Sequence, residues 1–378
     1  MQLQKRRRFD TIIKNDLETD VTALLNDTLK QKYNAFWQHE SIGRCLLYVC
    51  TAKAADGSNE VFHPGEPLAV KWTDLDGRVR TETDTIARTT YYGDSFPSVF
   101  VNFGPGSLAA CISGKYDLAP DTVWFDRDPM IKDWETAPEI RLDETSEMWR
   151  MHGELTAKLC AASGGSFYTS IVDIGGPLDI LAALRGSQEL LFDLYDYPEK
   201  IKDAMKKIIP MWKHTYQTLA DYTLQYQDGI TTWMPIWCSG RYFPLQCDFS
   251  AMLSPDMFKE FVLDDLVELT EFLDHSIYHL DGPGEIPHLD HLLSIPRLDA
   301  IQWTTGAGKP DVTSEVWFDM YQRIQAAGKG LVLFSEEPTQ VENLLRNIST
   351  RGLYLNVSGC DDYTAKQLVD IADGIGVK

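Results

Sequence analysis

The chain has no pair of cysteines separated by two residues, no apolar run approaching 18 residues, no low-complexity tract, and too few basic residues to balance its acids. Each of these gaps removes a class of protein. Seven cysteines (45, 50, 111, 160, 238, 247 and 360) without a CxxC pair form no disulfide framework, which suits reduced thiols in a reducing compartment; Cys247 and Cys360 remain candidates for chemistry. Without a long apolar run, no transmembrane helix is expected. Lys and Arg number 35 against 56 Asp and Glu, a formal net charge of −21. Nucleic acid and anionic membranes are therefore disfavoured partners, because both need clustered bases to replace counterions. The opening "MQLQKRRRFD" carries the basic part of a signal peptide but no apolar stretch after it, so the expected location is the cytoplasm.

What is present is a rhythm. Within 378 residues, "FPSVFVNFG", "FYTSIVDIG", "GITTWMPIW", "SIYHLDG", "LDAIQW", "GLVLFSEE" and "GLYLNVSG" are short apolar runs, most of them separated by amphipathic helical stretches. Such alternation predicts a parallel sheet. Ser254 reads as the N-cap of a helix with Pro255 at its first position, and Phe258, Phe261, Val262, Leu266, Leu269 and Leu273 fall on one face. No GxGxxG follows any strand, so the spacing predicts a (β/α)8 TIM barrel over residues 91–378. Residues 1–90 are expected to form an amino-terminal helical elaboration packed on the barrel, with "CLLYVC" as a strand.

In a barrel of this kind, active sites gather at the carboxyl ends of the strands. "YHLDGPG" is such an end. His279 and Asp281, two apart on a strand, point the same way, and the glycines and proline after them shape a turn. The pair fits a histidine fixed by its carboxylate neighbour, a metal site, or an acid/base couple. Asp173, Glu336 with Glu337, and Asn356 with Ser358 and Cys360 end other strands. Singly these are cap or loop groups; together, imidazole, carboxylate and thiolate are ligand types that zinc accepts. The aromatic loop 237–255, with Trp237, Arg241, Tyr242 and Cys247, reads as a substrate wall or a packing loop, and Arg241 could grip a carboxylate or phosphate. "NFGPGSLAA" reads mainly as turn geometry, with Asn102 at its start as a substrate-binding candidate. His288 and His291 are expected at the surface.

Several stretches resemble the uroporphyrinogen decarboxylase superfamily and, within it, the corrinoid-dependent methyltransferase branch: "FPSVFVNFGPGSLAA", "DTVWF", "DIGGPLDILAALRG", "LSPDMFKEFVLDDL", "YHLDGPG", "LDAIQW" and, more loosely, "NVSGC". The resemblance covers roughly three quarters of the chain and implies a (β/α)8 barrel. The amino-terminal "RxxGR" pattern of the decarboxylases, which binds porphyrinogen carboxylates, is not reproduced. In the methyltransferase branch, His-x-Cys and a distant Cys hold zinc. Here His279 matches the histidine, Cys360 the distant cysteine, and Asp281 stands where the first cysteine would be.

The resemblance thus implies zinc on His279, Asp281 and Cys360, with Asp173 or Glu336 supplying a proton. A carboxylate in place of a thiolate leaves zinc harder and suits an oxygen-bound methyl, so the expected reaction moves a methyl group from a small methoxylated donor to a corrinoid on a partner protein. A metal-free decarboxylase or lyase using His279 and Asp281 as an acid/base pair is the alternative, and a non-catalytic tetrapyrrole binder is another.

Overall fold

The computed structural model describes residues 24–53 and 67–378; the basic stretch at residues 5–8 and the start of the first helical segment lie outside them. Eleven strands are formed among the described residues: β1 (Leu46–Ala52), β2 (Thr89–Gly93), β3 (Ser98–Val99), β4 (Asp117–Leu118), β5 (Val123–Trp124), β6 (Tyr168–Thr169), β7 (Tyr242–Gln246), β8 (His275–Asp281), β9 (Ala300–Thr304), β10 (Gly330–Ser335) and β11 (Leu353–Val357). Seven make one sheet in the order β2-β1-β11-β10-β9-β8-β7. Every pair in it is parallel except β1 with β2. The strands β7 to β11 run in chain order with a helix after each, and the early strand β1 lies beside the last, β11. Most of their residues are buried on both faces, as expected of a sheet covered by helices, and the polar Gln246, His279, Asp281 and Gln302 interrupt one face.

Strands β3 and β6 form a separate parallel pair, and β4 and β5 an antiparallel one. Beyond β6, Ile171 N–H donates to Thr231 C=O, but the run "GITTWMPIW" forms only an isolated bridge, Ile230 to Cys238. The architecture is therefore mixed α/β with a parallel-rich sheet, compatible with a (β/α)8 arrangement, although the main-chain ladder is not continuous around a ring among the described residues.

The stretch 237–255 is not a single loop. Its centre is strand β7, paired with β8 from Tyr242 against His275 to Gln246 against His279. Pro244 reads as a strand breaker, yet β7 is the last strand of the seven, where a missing N–H costs no ladder bond on the open side. At its first residue a tyrosine hydroxyl completes that edge: Tyr216, on the helix Pro198–Thr223, accepts from Tyr242 N–H at 2.8 Å and donates to Tyr242 C=O at 3.1 Å.

Ser254 caps its helix as expected, its hydroxyl accepting from Met257 N–H, and the named apolar face is buried. A π-helical turn, Lys259–Leu263, interrupts that helix before it resumes at Asp264–Phe272. His288 departs from expectation. It is fully buried, with its ring stacked on Phe258 at 4.4 Å and Nε2 bonded to Ser250 C=O, because the 3₁₀ turn Ile286–His288 folds it under the segment after β7.

Candidate functional site

Parallel pairing carries one face of each strand across the sheet in rows. Gln246 pairs with His279 and His279 with Gln302, so these three share a row and a face. Two residues further on, the same face presents Asp281 and Thr304 at the carboxyl ends of β8 and β9, and Asp248, the first residue of the 3₁₀ turn Asp248–Met252 that follows β7, lies close to Asp281. Asp248, His279 and Asp281 each offer a ligand atom, and these atoms lie within 4.8 Å of one another. Asp248 is exposed and His279 half-buried, so the group opens to solvent. Among the described residues it is the one set of His, Cys, Asp and Glu with metal-ligand spacing.

The imidazole is oriented from behind. Gln302 spends its amide N–H groups on Trp303 C=O and Thr304 Oγ1, both at 2.9 Å, which turns its Oε1 toward His279 Nδ1. An acceptor there makes Nδ1 the protonated nitrogen and leaves Nε2 with a free lone pair, the state a metal ligand needs. Trp233 sits edge-on to the same ring at 5.3 Å. Gln302→Leu should lower affinity for a divalent cation by roughly 10–100-fold. Competition with a zinc-responsive dye would measure it, and Gln302→Glu, which keeps the acceptor, should restore binding.

Asp173 joins the group from the other sheet. Its Oδ1 accepts from Gly175 N–H at 2.8 Å, and its C=O accepts from Ser107. Gly175, at φ +89°, lies against Gly106, where an added Cβ would stand 2.4 Å from Gly106 Cα. A Cβ at Gly176 would stand 2.1 Å from Gln246 C=O. Only glycines allow this approach, so the "NFGPG" turn docks the end of β6 beside the end of β7. Burial, then Asp248, push the Asp173 carboxyl up to about 7, while His279 opposes the shift.

Burial is also the first cause for three neighbours. Glu285, 0% exposed, is pushed up to about 9, with Asp248 as the next cause. Asp179 is raised well above the usual range, again with Asp248 behind burial, although it accepts from the N–H groups of Asp248 and Phe249. Asp248 itself is raised by its surroundings and by Asp281, and lowered by His279. Burial and mutual repulsion therefore hold these carboxyls toward their protonated forms, and a bound cation would favour their ionised forms.

The other expected site residues fall outside the metal-spaced group. Cys360 is outside the metal-spaced group; its thiol donates to Ser358 C=O at 3.6 Å. The strands β9 and β10 stand between its strand, β11, and β8. Glu336 is exposed, with its N–H on Asp311. Asn102 closes a turn through Oδ1 on Gly104 N–H, and its C=O accepts from Arg78. Arg241 pairs with Asp274 at 3.3 Å, beside the first residue of β7. Tyr242 packs on Trp37 at 4.9 Å, and Trp237 C=O accepts from Trp37 Nε1. These three thus belong to the amino-terminal foot of the strands, opposite Asp281, and correct the expectation of an aromatic wall at the mouth. Cys247 adjoins the site but alternates to the other face, and burial pushes its thiol well up, with Asp179 and Glu285 adding to the shift.

Asp248, Glu285, Gln302 and Trp233 were missed by sequence reasoning. Only Asp248 had a usable signal: once "YFPLQ" is seen as a strand, "QCD" becomes a strand end like "HLD". A separate surface cavity of about 290 Å³ between Lys115, Tyr116, Trp124 and Arg127 is remote from this chemistry, and Lys115 and Tyr116 there are already bonded to Asp128 and Glu147.

No protein-family model matches the chain, and no curated protein does. Among solved structures it is similar to a methyltransferase from Methanosarcina mazei, with a TM-score of 0.59, 10% identity, and coverage of 92% of this chain and 98% of that one. At that identity the likeness is one of fold, and it spans nearly the whole of both chains.

Proposed function

We propose that this chain is a methyltransferase of the corrinoid-dependent branch of the uroporphyrinogen decarboxylase superfamily, built on a closed (β/α)8 barrel, with zinc on Asp248, His279 and Asp281. The observation that carries this reading is the convergence of those three side chains at the strand ends, with Asp248 in the place first given to Cys360. The fold likeness to a methyltransferase supports it. The residues fit the metal: Nε2 of His279 is left free by Gln302, and carboxylate oxygens of Asp248 and Asp281 lie within 4.8 Å of one another and of the imidazole ligand atom.

A zinc ion held there would polarise the oxygen of a methoxylated donor as a Lewis acid, and a nitrogen with two carboxylates leaves it harder than thiolates would. Trp233 and the half-buried Phe334 give the donor's body an apolar wall beside His279. Asp173 keeps a proton up to about pH 7 and delivers it to the oxygen left after the methyl departs to a corrinoid on a partner protein. A decarboxylase acting on a polycarboxylate would need cationic side chains at the mouth. The charges that act on Asp173, Asp248 and Glu285 are instead mainly those of other acids.

The test combines elemental analysis of protein purified without added metal with an assay supplying reduced cobalamin and a panel of methoxylated compounds, methylamines and thiols. Stoichiometric zinc and a methylcobalamin spectrum with a methoxylated donor are expected. If no donor methylates cobalamin and zinc is absent, the reading fails in favour of an acid/base lyase.

A further inference from the structure

We propose that Asn356 is a specificity-determining residue of this mouth, holding a hydrogen-bonding oxygen at the end of the donor remote from its methyl group. The row that begins at Asp281 can be followed strand by strand. Asp281 pairs with Thr304, and Trp303 pairs with Leu333, which sets Thr304 beside Phe334. Phe334 then pairs with Asn356, and Asn356 with Tyr48. These five side chains share one face, the face that carries His279 two residues before Asp281. Most of the row is already committed. Thr304 Oγ1 accepts from Gln302 Nε2 at 2.9 Å, the Tyr48 hydroxyl donates to Phe96 C=O at 2.8 Å, and Asp281 belongs to the metal-spaced group. Asn356 is half-buried, and among the described residues its amide makes no hydrogen bond. A carboxamide brings two N–H donors and an acceptor, so this row keeps one polar group open to a ligand.

Its place decides what it can hold. Strands β9 and β10 stand between β8 and β11, which puts Asn356 roughly 14 Å along the sheet from Asp281 at the usual strand spacing. The half-buried Trp233 bridges much of that span: its ring meets His279 of β8 at 5.3 Å and Phe334 of β10 at 6.2 Å. A donor lying along Trp233 and Phe334, with its methoxy oxygen on the His279 side, brings its other end to Asn356. Side chains reach inward from both ends of the span, so a compound about as long as one substituted ring fills what is left. A site built to pair a hydroxyl rejects the analogue that lacks it, because the amide is then desolvated without a partner. The inference rests on the methyl-transfer reading for which end of the ligand faces His279, and on the row alone for the polar contact.

Titration calorimetry on the full chain, with EDTA and with zinc, would compare the three methoxyphenol isomers with the three methylanisoles that carry methyl in place of the hydroxyl. At least one methoxyphenol should bind about 5- to 50-fold more tightly than its methylanisole, and both Asn356→Leu and the smaller Asn356→Ala should abolish that preference. The urea midpoint of Asn356→Leu should not fall, since no protein hydrogen bond is lost; a lower midpoint would mark the amide as structural and overturn the inference. In cobalamin methylation Asn356→Leu should raise KM for the preferred methoxyphenol about 10-fold and leave kcat within about twofold. No preference in any of the three pairs, or one that survives in both variants, would overturn the inference even if cobalamin is methylated. A preference that both variants lose, without methyl transfer from any donor, would instead overturn the functional reading and leave Asn356 as a ligand contact.

Discussion

Asp248→Ala should lower the affinity for zinc by more than the roughly 10–100-fold typical of losing an outer-shell partner, while Cys360→Ala leaves it within about twofold. The contrast follows from the rows of the sheet. Asp248 opens the 3₁₀ turn two residues past the pairing of Gln246 with His279, and its carboxylate lies within 4.8 Å of the ligand atoms of His279 and Asp281. Cys360 ends a strand three places along the sheet and bonds its thiol locally to Ser358. Asp281→Ala and His279→Ala should behave as Asp248→Ala does, because a site with three protein ligands tolerates the loss of none without exchanging affinity for water. Methyl transfer to cobalamin should fall with metal content in all three. Equilibrium dialysis with zinc would measure the affinities; a Cys360→Ala protein that loses its metal would show that the thiolate, and not Asp248, completes the site.

Asp173→Asn should stabilise the metal-free protein at pH 8 and do so by a much smaller amount at pH 5. In the folded chain the Asp173 carboxyl is pushed up to about 7, whereas an unfolded aspartate titrates near its ordinary value of about 3.9. Between those values the native state holds a proton that the unfolded state has lost, so stability falls as pH rises through this window. The stabilising share of the protonated group is fully present below about pH 4 and gone above about pH 7. A shift of this size corresponds to roughly 2–4 kcal/mol for a side chain only 6% exposed. Asparagine keeps the acceptor for Gly175 N–H and cannot ionise, so it mimics the protonated form at every pH. Urea unfolding in EDTA at pH 5, 6.5 and 8 would display the difference growing with pH. Zinc should narrow it, because the ion offsets the Asp248 charge that repels Asp173. A pH-independent difference would mean that Asp173 is ionised throughout.

Local chemistry made part of this molecule legible in advance. The period of two placed His279 and Asp281 on one face, and the Ser254-Pro255 signal located a helix start, because both depend on the dihedral preferences of a few adjacent residues. The short apolar runs at β8 to β11 are strands for a similar reason: β-branched, leucine and aromatic residues bounded by turn residues can be covered on both faces only within a parallel sheet. His288 shows the limit of such reasoning. Its spacing from His291 matches an exposed helix face, but a segment 38 residues earlier supplies Ser250 C=O and Phe258 closes over the ring.

The sequence by itself determined the alternation of strands and helices, the strand end carrying His279 and Asp281, and the acidic excess that disfavours anionic partners. Tertiary structure alone decided that Pro244 sits in an edge strand, that Trp237, Arg241 and Tyr242 lie at the foot, and that Asp248 stands beside His279. The physical reason is register. A strand's pairing partner and its place in the sheet order are set by long-range packing, and a shift of one residue or one position moves a side chain to another face or another end. The carboxyls of Asp173 and Glu285 are displaced from their ordinary range because folding buries them and brings the Asp248 carboxylate near, a neighbourhood that no local stretch of the chain contains.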